Sequence, residues 1–160
     1  MKLYSLITGS AGLLGQYHAE ALLQLDLNII LTDINQKKLD LTYKYLKNLY
    51  PKKNIIKSLL DVSSPRLIEK TIRNLGKKNI IINNLINNAA IDPKIQKRTT
   101  SKYENFENFS LDTWNNEIKV GLTGAMLCCK IIGSEMVKNN INGNIVNIAS
   151  DLSVIAPNQN

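Results

Sequence analysis

Three glycines at a spacing of three residues, Gly9, Gly12 and Gly15, separate a short apolar stretch from a segment with helical periodicity. The apolar stretch, residues 3–8, has the length and composition of a buried strand. A helix that follows such a strand at once needs a tight turn and a close approach to the strand, and glycine permits both. The spacing therefore predicts a strand, a turn and a helix that belong to a parallel α/β sheet.

Strands and helices alternate along the rest of the chain in the same way. Apolar runs bounded by turn residues predict five strands, at residues 3–8, 28–33, 54–60, 83–90 and 143–150. Helical patterns predict four helices. Three lie at residues 13–25, 65–75 and 112–138, and the other is marked by Leu39, Tyr43, Leu46 and Tyr50 and ends before Pro51. This order predicts one doubly wound parallel sheet with helices on both faces, a three-layer α/β/α domain over residues 1–160 that is truncated after the fifth strand.

Three expectations concern single helices. One face of the first helix carries four apolar residues, and we expect it to pack on the sheet. These residues are Leu14, Tyr17, Ala21 and Leu25. Ser64 and Pro65 have the residue types of an N-cap and a first helical position for the helix at 65–75. The polar segment 91–110 predicts one short amphipathic helix from the spacing of Tyr103, Phe106 and Phe109.

The glycine turn also suits the binding of a dinucleotide. In such a site one glycine makes the turn, one lets backbone N–H groups approach the pyrophosphate, and one allows close packing of helix and strand. Asp33 closes the second strand 18 residues after Gly15, near the spacing of the acidic residue that binds ribose hydroxyls. An aspartate at a strand end is also a common turn residue, but the complete order favours a Rossmann-like site. Because a carboxylate repels a 2′-phosphate, Asp33 predicts NAD as the cofactor rather than NADP.

Composition argues against other classes of function. The net charge is +7, but 17 of the 20 basic residues are lysine and no aromatic residues are interleaved with them, so we predict no nucleic-acid partner. Adjacent Cys128 and Cys129 suit neither a disulfide nor a metal site, and His18 has no ligand partners at metal spacing. Since the sequence has no run of 18 apolar residues and no clear signal peptide, we expect no membrane partner and a cytoplasmic location.

Four motifs follow one another along the chain. They are TGSAGLLG at residues 8–15, DV at 61–62, NNAA at 87–90 and GNIVNIAS at 143–150. Together they resemble the short-chain dehydrogenase/reductase family over essentially the whole chain. The resemblance implies a nicotinamide-dependent oxidoreductase that transfers hydride between the cofactor and an alcohol or carbonyl substrate. The cofactor contacts it implies are Gly9, Ser10, Ala11, Gly12, Leu13, Leu14, Gly15, Asp33, Asp61, Val62, Asn88 and Ala89.

The resemblance also implies where the catalytic groups lie. In the family a tyrosine acts as general acid or base, a lysine four residues later lowers the pKa of that tyrosine, and a serine orients the substrate. The serine corresponds to Ser150, and the tyrosine is expected shortly after it. The sequence has one Tyr-x-x-x-Lys, Tyr43 to Lys47, which lies on the second predicted helix, where Tyr43 fits the apolar stripe. We therefore expect residues 1–160 to be an N-terminal part of such an enzyme and to be inactive alone.

Several features indicate which branch of the family the chain resembles and where it departs from the family pattern. The glycine spacing is that of the extended branch, which includes nucleotide-sugar epimerases, because the single-domain branch usually has a glycine where this chain has Leu13. The motif NNAA at residues 87–90 and the compact length instead favour the single-domain branch. Gly121 occupies a position at which many relatives carry an asparagine that relays protons. Residues 107–136 and 147–159 resemble most a subgroup that modifies surface sugars or flagellin.

Three functions remain open at this point. The first is the oxidoreductase, with a sugar as one candidate substrate. The second is a dinucleotide-binding fragment or pseudoenzyme without catalysis, and the third is the N-terminal part of a nucleotide-sugar epimerase or dehydratase. For a full-length protein the resemblance further implies a homo-oligomer whose interface includes the helix at residues 112–138.

Overall fold

Five parallel strands form one sheet in the computed structural model, which describes residues 2–91 and 109–150. In chain order they are β1 (Lys2–Ile7), β2 (Ile29–Asp33), β3 (Ile55–Leu59), β4 (Ile80–Asn87) and β5 (Asn144–Asn147). Across the sheet the order is β3-β2-β1-β4-β5, so the direction of winding reverses between β1 and β4. This arrangement confirms the predicted doubly wound, Rossmann-like fold.

Helices connect the strands and cover both faces of the sheet. In the described residues they are α1 (Leu13–Gln24), α2 (Gln36–Leu49), α3 (Pro65–Gly76), α4 (Leu111–Ile118) and α5 (Gly124–Lys138). The side chains of Asn35, Ser64 and Ser110 cap α2, α3 and α4, respectively, by accepting a hydrogen bond from a first-turn N–H group. Pro65 is the first residue of α3, as predicted, because its fixed φ suits the first helical position.

The apolar core lies in two layers, one on each face of the sheet. Neighbouring residues of one strand, such as Leu6 and Ile7, point into opposite layers, which explains why consecutive residues of β1 and β2 are apolar. The layer beneath α1 and α2 contains Ile7, Ala19, Leu23, Ile29, Leu31, Leu39, Leu46, Ile55 and Ile86. The layer beneath α3 and α5 includes Leu6, Ile30, Ile68, Leu85, Cys128, Ile132 and Met136.

The predicted buried face of α1 is wrong. All four residues assigned to it are exposed, Leu14 and Tyr17 by 55% and 59%. Gly15, Ala19 and Leu23 face the sheet instead. Two of these three residues are small, so the helix can approach the strands closely, and a pattern that weighs large apolar residues does not detect this contact.

The limits of the last two strands also differ from the prediction. β4 begins at Ile80 rather than at residue 83, because Ile80 to Ile82 pair with the first residues of β1. The pairing of β1 with β4 shifts by one residue between Tyr4 and Ser5. After this shift β4 continues through its polar residues to Asn87. β5 is confined to Asn144–Asn147, within the predicted 143–150. The short helix predicted from Tyr103, Phe106 and Phe109 falls mainly on residues outside the described ranges.

One long helical segment, Leu111–Lys138, contains a π-helical turn at Lys119–Thr123 that joins α4 to α5. An 18-residue window of the segment reaches a mean hydropathy of 1.4, so its length and composition would allow it to cross a membrane. Core helices of soluble proteins meet the same criterion, and the side chains of Cys128, Ile132 and Met136 pack on the sheet. The absence of a membrane partner stays a prediction.

The two edges of the sheet differ in charge. At one edge, β3 carries Lys57, which pairs with Asp40 on α2 and places its Nζ 4.9 Å from the centroid of the Tyr43 ring. The hydrogen bond from Lys57 lowers the pKa of Asp40. A lysine on an edge strand discourages pairing with further strands. At the other edge β5 is exposed and uncharged, and no strand of the described residues pairs with its outer side.

Gly124, the first residue of α5, lies against Val62, which follows β3. A Cβ at position 124 would lie 2.7 Å from Val62 Cγ2 and 3.2 Å from Val62 Cβ. Because Val62 is buried, we expect Gly124→Ala to lower the free energy of unfolding by about 1–3 kcal/mol. The matched control is Gly133→Ala in the same helix, whose Cβ would meet only Ile145 Cδ1 at 3.6 Å and should not destabilise. Equal denaturant midpoints for the two variants would contradict the close approach.

The two adjacent cysteines differ in burial. Cys128 is fully buried, and burial together with the neighbouring Cys129 raises the pKa of Cys128 to about 12. Because the thiolate is the reactive form, we expect iodoacetamide at neutral to mildly alkaline pH to modify Cys129 in the folded protein and to leave Cys128 unmodified. Mass spectrometry of the Cys128→Ser and Cys129→Ser variants separates the two sites. Equal labelling rates in the folded state would contradict the burial of Cys128, whereas denaturant should equalise them.

Candidate dinucleotide-binding site

The glycine loop, defined as residues 8–15, lies at the carboxyl edge of the sheet between β1 and β4. The order of the strands reverses at this point, and in such sheets a crevice opens above the carboxyl ends of the two strands. The end of β2 contacts one side of the loop, and Asn88 and Ala89, which follow β4, contact the other side. The structure thus brings together predicted cofactor contacts from three separate parts of the chain.

The β4 side holds the first two residues of the loop. Backbone N–H groups of Asn88 and Ala89 both donate to Thr8 Oγ1, at 3.0 Å each. The Asn88 side-chain Nδ2 donates to the carbonyl oxygens of Thr8 and Gly9, at 3.0 and 3.1 Å. The amide donors of Asn88 therefore fix the loop backbone, which gives this predicted cofactor contact a positioning role as well.

The β2 side holds the next two residues of the loop. The backbone N–H and the side-chain Oγ of Ser10 both donate to the carbonyl oxygen of Thr32, at 2.9 and 3.1 Å. The Ala11 N–H donates to Asp33 Oδ2 at 3.1 Å. Ser10 is fully buried, so its role is to anchor the loop to β2. Together with the β4 contacts, these bonds order residues 8–11 on both sides.

The three glycines meet different demands. Gly9 has a φ of +62°, and a Cβ there would lie 2.9 Å from Ala89 Cα. A Cβ on Gly15 would overlap the Gly9 carbonyl oxygen and lie 2.7 Å from Ser10 Cα, so Gly15 permits the close packing of α1. A Cβ on Gly12 would meet only the Gly9 carbonyl oxygen, at 3.3 Å. Gly9 and Gly15 are therefore required by the fold, whereas Gly12 faces open space above the loop.

The N-terminus of α1 fits an anionic group. The first N–H groups of a helix have no partner within the helix, and α2, α3 and α4 each satisfy part of this need with a capping side chain. In contrast, the N-cap residue of α1 is Gly12, so the helix has no side-chain cap, and its first turn contains no acidic residue. An uncapped first turn offers N–H donors and a partial positive charge to a phosphate. The residues present thus fit the pyrophosphate of a dinucleotide.

The other predicted contacts lie at the start of α1 and after β2 and β3. Leu13 and Leu14 begin α1 with exposed side chains, and the carboxylate of Asp33 stands at the end of β2. Asp61, after β3, accepts hydrogen bonds at Oδ1 from the N–H and Oγ of Ser63, at 2.9 and 2.7 Å. This is the turn role that an aspartate at a strand end can have without any ligand. Val62 is buried against Gly124, so its side chain supports the fold.

The predicted catalytic residue lies on the same edge of the sheet. Ser150 follows β5 by three residues, and the pairing with β4 extends past the strand because Ile148 N–H donates to the carbonyl oxygen of Asn87. Gly121 lies in the π-helical turn with no atom within 4 Å of the position a Cβ would take. Turns of this kind within α-helices often occur at functional sites.

The sole Tyr-x-x-x-Lys of the sequence lies away from this edge. Tyr43 packs against the core layer beneath α1 and α2 and contacts Lys57 of β3 through its ring. Lys47 donates from Nζ to the carbonyl oxygen of Lys53 at 2.7 Å. Both residues therefore have structural roles, in agreement with the interpretation of this pair as part of the second helix.

One positioning residue was not assigned from the sequence. Thr8 is almost fully buried, and its hydroxyl accepts the two backbone N–H groups that follow β4. The signal that could have identified it is a hydroxyl residue at the end of an otherwise apolar strand, directly before the first glycine.

A partly enclosed cavity of about 250 Å³ lies elsewhere, at the amino edge of the sheet between α3, β4 and α5. Its walls include Ile72, Leu75 and Ile132 together with Asn79 and Glu135, and none of the predicted cofactor contacts lines it. The assignment of the site rests instead on the geometry of the glycine loop. Within the described ranges, no three His, Cys, Asp or Glu side chains are grouped so that they could hold a metal ion.

Comparison with known families gives one match that covers nearly the whole chain. The model of the short chain dehydrogenase family matches residues 4–159. A short chain dehydrogenase/reductase of Gibberella zeae is 28% identical over 146 residues, which are 91% of this chain and 50% of that protein. A 3-oxoacyl-[acyl-carrier-protein] reductase of Buchnera aphidicola is 30% identical over 159 residues, which are 96% of this chain and 57% of that protein. The chain thus spans about half the length of the relatives it matches.

Solved structures share the same fold. A 3-oxoacyl-[acyl-carrier protein] reductase of Brucella melitensis with bound NAD superposes with a TM-score of 0.81 at 24% identity. The match covers 98% of this chain and 56% of the reductase. At this identity the likeness establishes the Rossmann-like architecture of the described strands and helices.

Proposed function

The chain belongs to the short-chain dehydrogenase family, and from that premise we propose that it binds a nicotinamide dinucleotide at the glycine loop as part of an oxidoreductase. The observation that carries the proposal is the first turn of α1. A side chain caps each of α2, α3 and α4, whereas no side chain caps α1. The loop before it is held on both sides by hydrogen bonds within the protein. A preformed site of this kind needs little reorganisation when the pyrophosphate binds.

The role proposed for each residue follows from its position in the site. N–H groups of the first turn of α1 hold the pyrophosphate, and Asp33 accepts hydrogen bonds from the adenosine ribose. When bound, the nicotinamide supplies the hydride acceptor or donor. Ser150 orients the substrate oxygen through its hydroxyl. A serine hydroxyl is too weak an acid to protonate that oxygen, so a stronger acid such as the tyrosine of the family has to act beside it.

Binding and turnover measurements test the proposal. NADH fluorescence and calorimetry on the protein read from its complete gene should give saturable binding of a dinucleotide. Turnover is then followed by NADH absorbance with a panel of secondary alcohols, polyols, sugars and the corresponding carbonyl compounds. Absence of binding to both NAD(H) and NADP(H) by a folded protein would reject the proposed site.

Asp33 leads us to predict a preference for NAD(H) over NADP(H). A 2′-phosphate placed beside this carboxylate would meet like charge, and we expect NAD(H) to bind at least about tenfold more tightly, which corresponds to about 1.4 kcal/mol. Lys37 and Lys38, in the first turn of α2, reduce the preference by attracting the phosphate. Parallel titrations of both cofactors measure it. Tighter binding of NADP(H), or an Asp33→Ala variant with unchanged affinity for both cofactors, would contradict the prediction.

We propose a sugar or a related polyol as the substrate and a homo-oligomer as the assembly. The substrate class rests on the resemblance of residues 107–136 and 147–159 to sugar-modifying relatives. The assembly is supported by the outer face of the segment Leu111–Lys138, where large apolar side chains are exposed. They are Leu111, Trp114, Leu122, Met126 and Val137. We also propose a cytoplasmic location.

Two other functions predict different results in the same measurements. A nucleotide-sugar epimerase or dehydratase, suggested by the glycine spacing, would retain its dinucleotide and convert a nucleotide sugar with no net change in NADH absorbance. A non-catalytic binding module would bind the dinucleotide and convert no substrate. Net, stoichiometric change of NADH with an alcohol or carbonyl compound favours the oxidoreductase over both.

A further inference from the structure

The carboxylate of Asp33 joins two loops that are distant in the sequence. Its Oδ2 accepts the N–H of Ala11 in the glycine loop at 3.1 Å, and its Oδ1 accepts the N–H of Asn35 at 2.8 Å. Asn35 in turn caps α2 by accepting the N–H of Lys38. The backbone of Asp33 is itself fixed, because its carbonyl oxygen accepts the N–H of Leu60 at 3.0 Å. A rigid strand end therefore carries the charge that holds the loop.

We propose that Asp33 is a positioning residue for the glycine loop, which it keeps in the conformation that receives a dinucleotide. This role goes beyond the ribose contact assigned above and rests on the proposed function of the loop as the dinucleotide site. The other bonds on the β2 side come from Ser10 and end one residue earlier, at the carbonyl oxygen of Thr32. Asp33 accepts the N–H of Ala11, which lies directly before Gly12, where the loop turns into α1.

The chemistry of a carboxylate allows both roles at once. Hydrogen bonds from backbone N–H groups to an ionised acceptor are stronger than those between neutral groups. A carboxylate has about four lone-pair sites, so the two bonds to Ala11 and Asn35 leave capacity for ribose hydroxyls. Asp61 provides a contrast, because the hydrogen bonds given for its carboxylate end within its own turn, at Ser63. Asp33 is thus the strand-end aspartate that links neighbouring loops.

Two measurements on the protein from its complete gene separate loop positioning from ribose binding. The first is amide hydrogen exchange at Gly12 without cofactor. The Gly12 N–H donates to the Gly9 carbonyl oxygen at 3.1 Å and does not contact Asp33, so its exchange reports loop order. The second is the affinity for NAD+ and for an NAD+ analogue whose adenosine ribose lacks both hydroxyls. The variants are Asp33→Ala, Asp33→Asn and the control Asp40→Asn.

We expect Asp33→Ala to speed exchange at Gly12 and to weaken binding of the dihydroxyl-free analogue by about tenfold, the effect of losing one charge-assisted hydrogen bond. Asp33→Asn keeps one acceptor oxygen, so it should show a smaller change in the exchange rate at Gly12 and in the affinity for the analogue. This variant replaces Asp33→Ala in the test if Asp33→Ala does not fold. Asp40→Asn makes the same charge change on α2, where Asp40 contacts Gln36 and Lys57, and should leave both readouts unchanged.

Unchanged exchange at Gly12, or unchanged affinity for the analogue, in folded Asp33 variants would overturn the proposal and leave Asp33 as a ribose contact only. If the unmodified protein bound neither NAD(H) nor NADP(H), the proposed function would fail. The exchange result at Gly12 would then decide by itself whether Asp33 orders the loop.

Discussion

Residues 1–160 expressed alone are expected to give no measurable dehydrogenase turnover, at least about 100-fold below the protein read from its complete gene, since general acid–base catalysis contributes about that factor or more. In its proposed role Ser150 orients a substrate, but a serine hydroxyl is too weak an acid to protonate it. Tyr43 and Lys47, which have the required spacing, are occupied on α2 by Lys57 and by the carbonyl oxygen of Lys53. Turnover from residues 1–160 at the rate of the complete gene product would contradict the expectation.

The exposed edge of the sheet should make the same short chain self-associate. Ile145 and Val146 of β5 are partly exposed, and the strand carries no charge. An apolar edge with unpaired backbone groups invites pairing with another chain, whereas β3 is protected by Lys57. We expect size-exclusion chromatography of residues 1–160 to show association, and Val146→Lys to reduce it by giving β5 the kind of charge that β3 has. A monomer that unfolds cooperatively without this change would contradict the argument.

Gly12→Val is expected to weaken dinucleotide binding by about 100-fold or more, because the side chain would stand between the loop and the pyrophosphate and remove charge-assisted hydrogen bonds. The fold should persist, since a Cβ at Gly12 meets a single atom, the Gly9 carbonyl oxygen at 3.3 Å. We therefore expect a loss of stability of no more than about 1 kcal/mol, as at an N-cap position. Calorimetric titration with NADH and denaturant unfolding measure the two effects on the same sample.

Gly15→Ala is the matched comparison and should behave in the opposite way. Its Cβ would overlap the Gly9 carbonyl oxygen, so we expect a loss of about 3 kcal/mol or more in the free energy of unfolding. Unchanged affinity in Gly12→Val would show that the loop does not receive the pyrophosphate. Similar stability losses in the two variants would show that Gly12 serves the fold and not the ligand.

The architecture could be predicted from the sequence because strand and helix patterns were clear and their order allows few topologies. The buried face of α1 could not be predicted. Gly15 and Ala19 contact the sheet because they are small, and a hydrophobicity pattern does not detect small residues. The start of β4 was missed because its pairing with β1 begins before the polar residues and slips by one position, which only the partner strand reveals.

The residues of the candidate site can be proposed from the sequence, but the contacts between them cannot. The glycine spacing and Asp33 stand out in the sequence, but the hydrogen bond between Ala11 and Asp33 depends on how two loops meet in space. Thr8 and Asn88 are joined across 80 residues of sequence, so no local pattern could reveal that one holds the other. Such contacts follow from the strand order, and they become visible only once the sheet is assembled.

The π-helical turn sets the rotational phase of α5 relative to α4. Such a turn holds an extra residue compared with an α-helical turn, and one residue corresponds to about 100° of rotation about the helix axis. Gly124, Cys128, Ile132 and Met136 face the sheet and fix the orientation of α5, whereas α4 has no buried residue that would fix its own. An insertion or deletion in α4 would rotate α4 and leave the packing of α5 on the sheet intact. A one-residue deletion within α5 would instead rotate the residues that follow it away from the sheet. The helix α4, which has no buried residue, can therefore vary in length far more freely than α5.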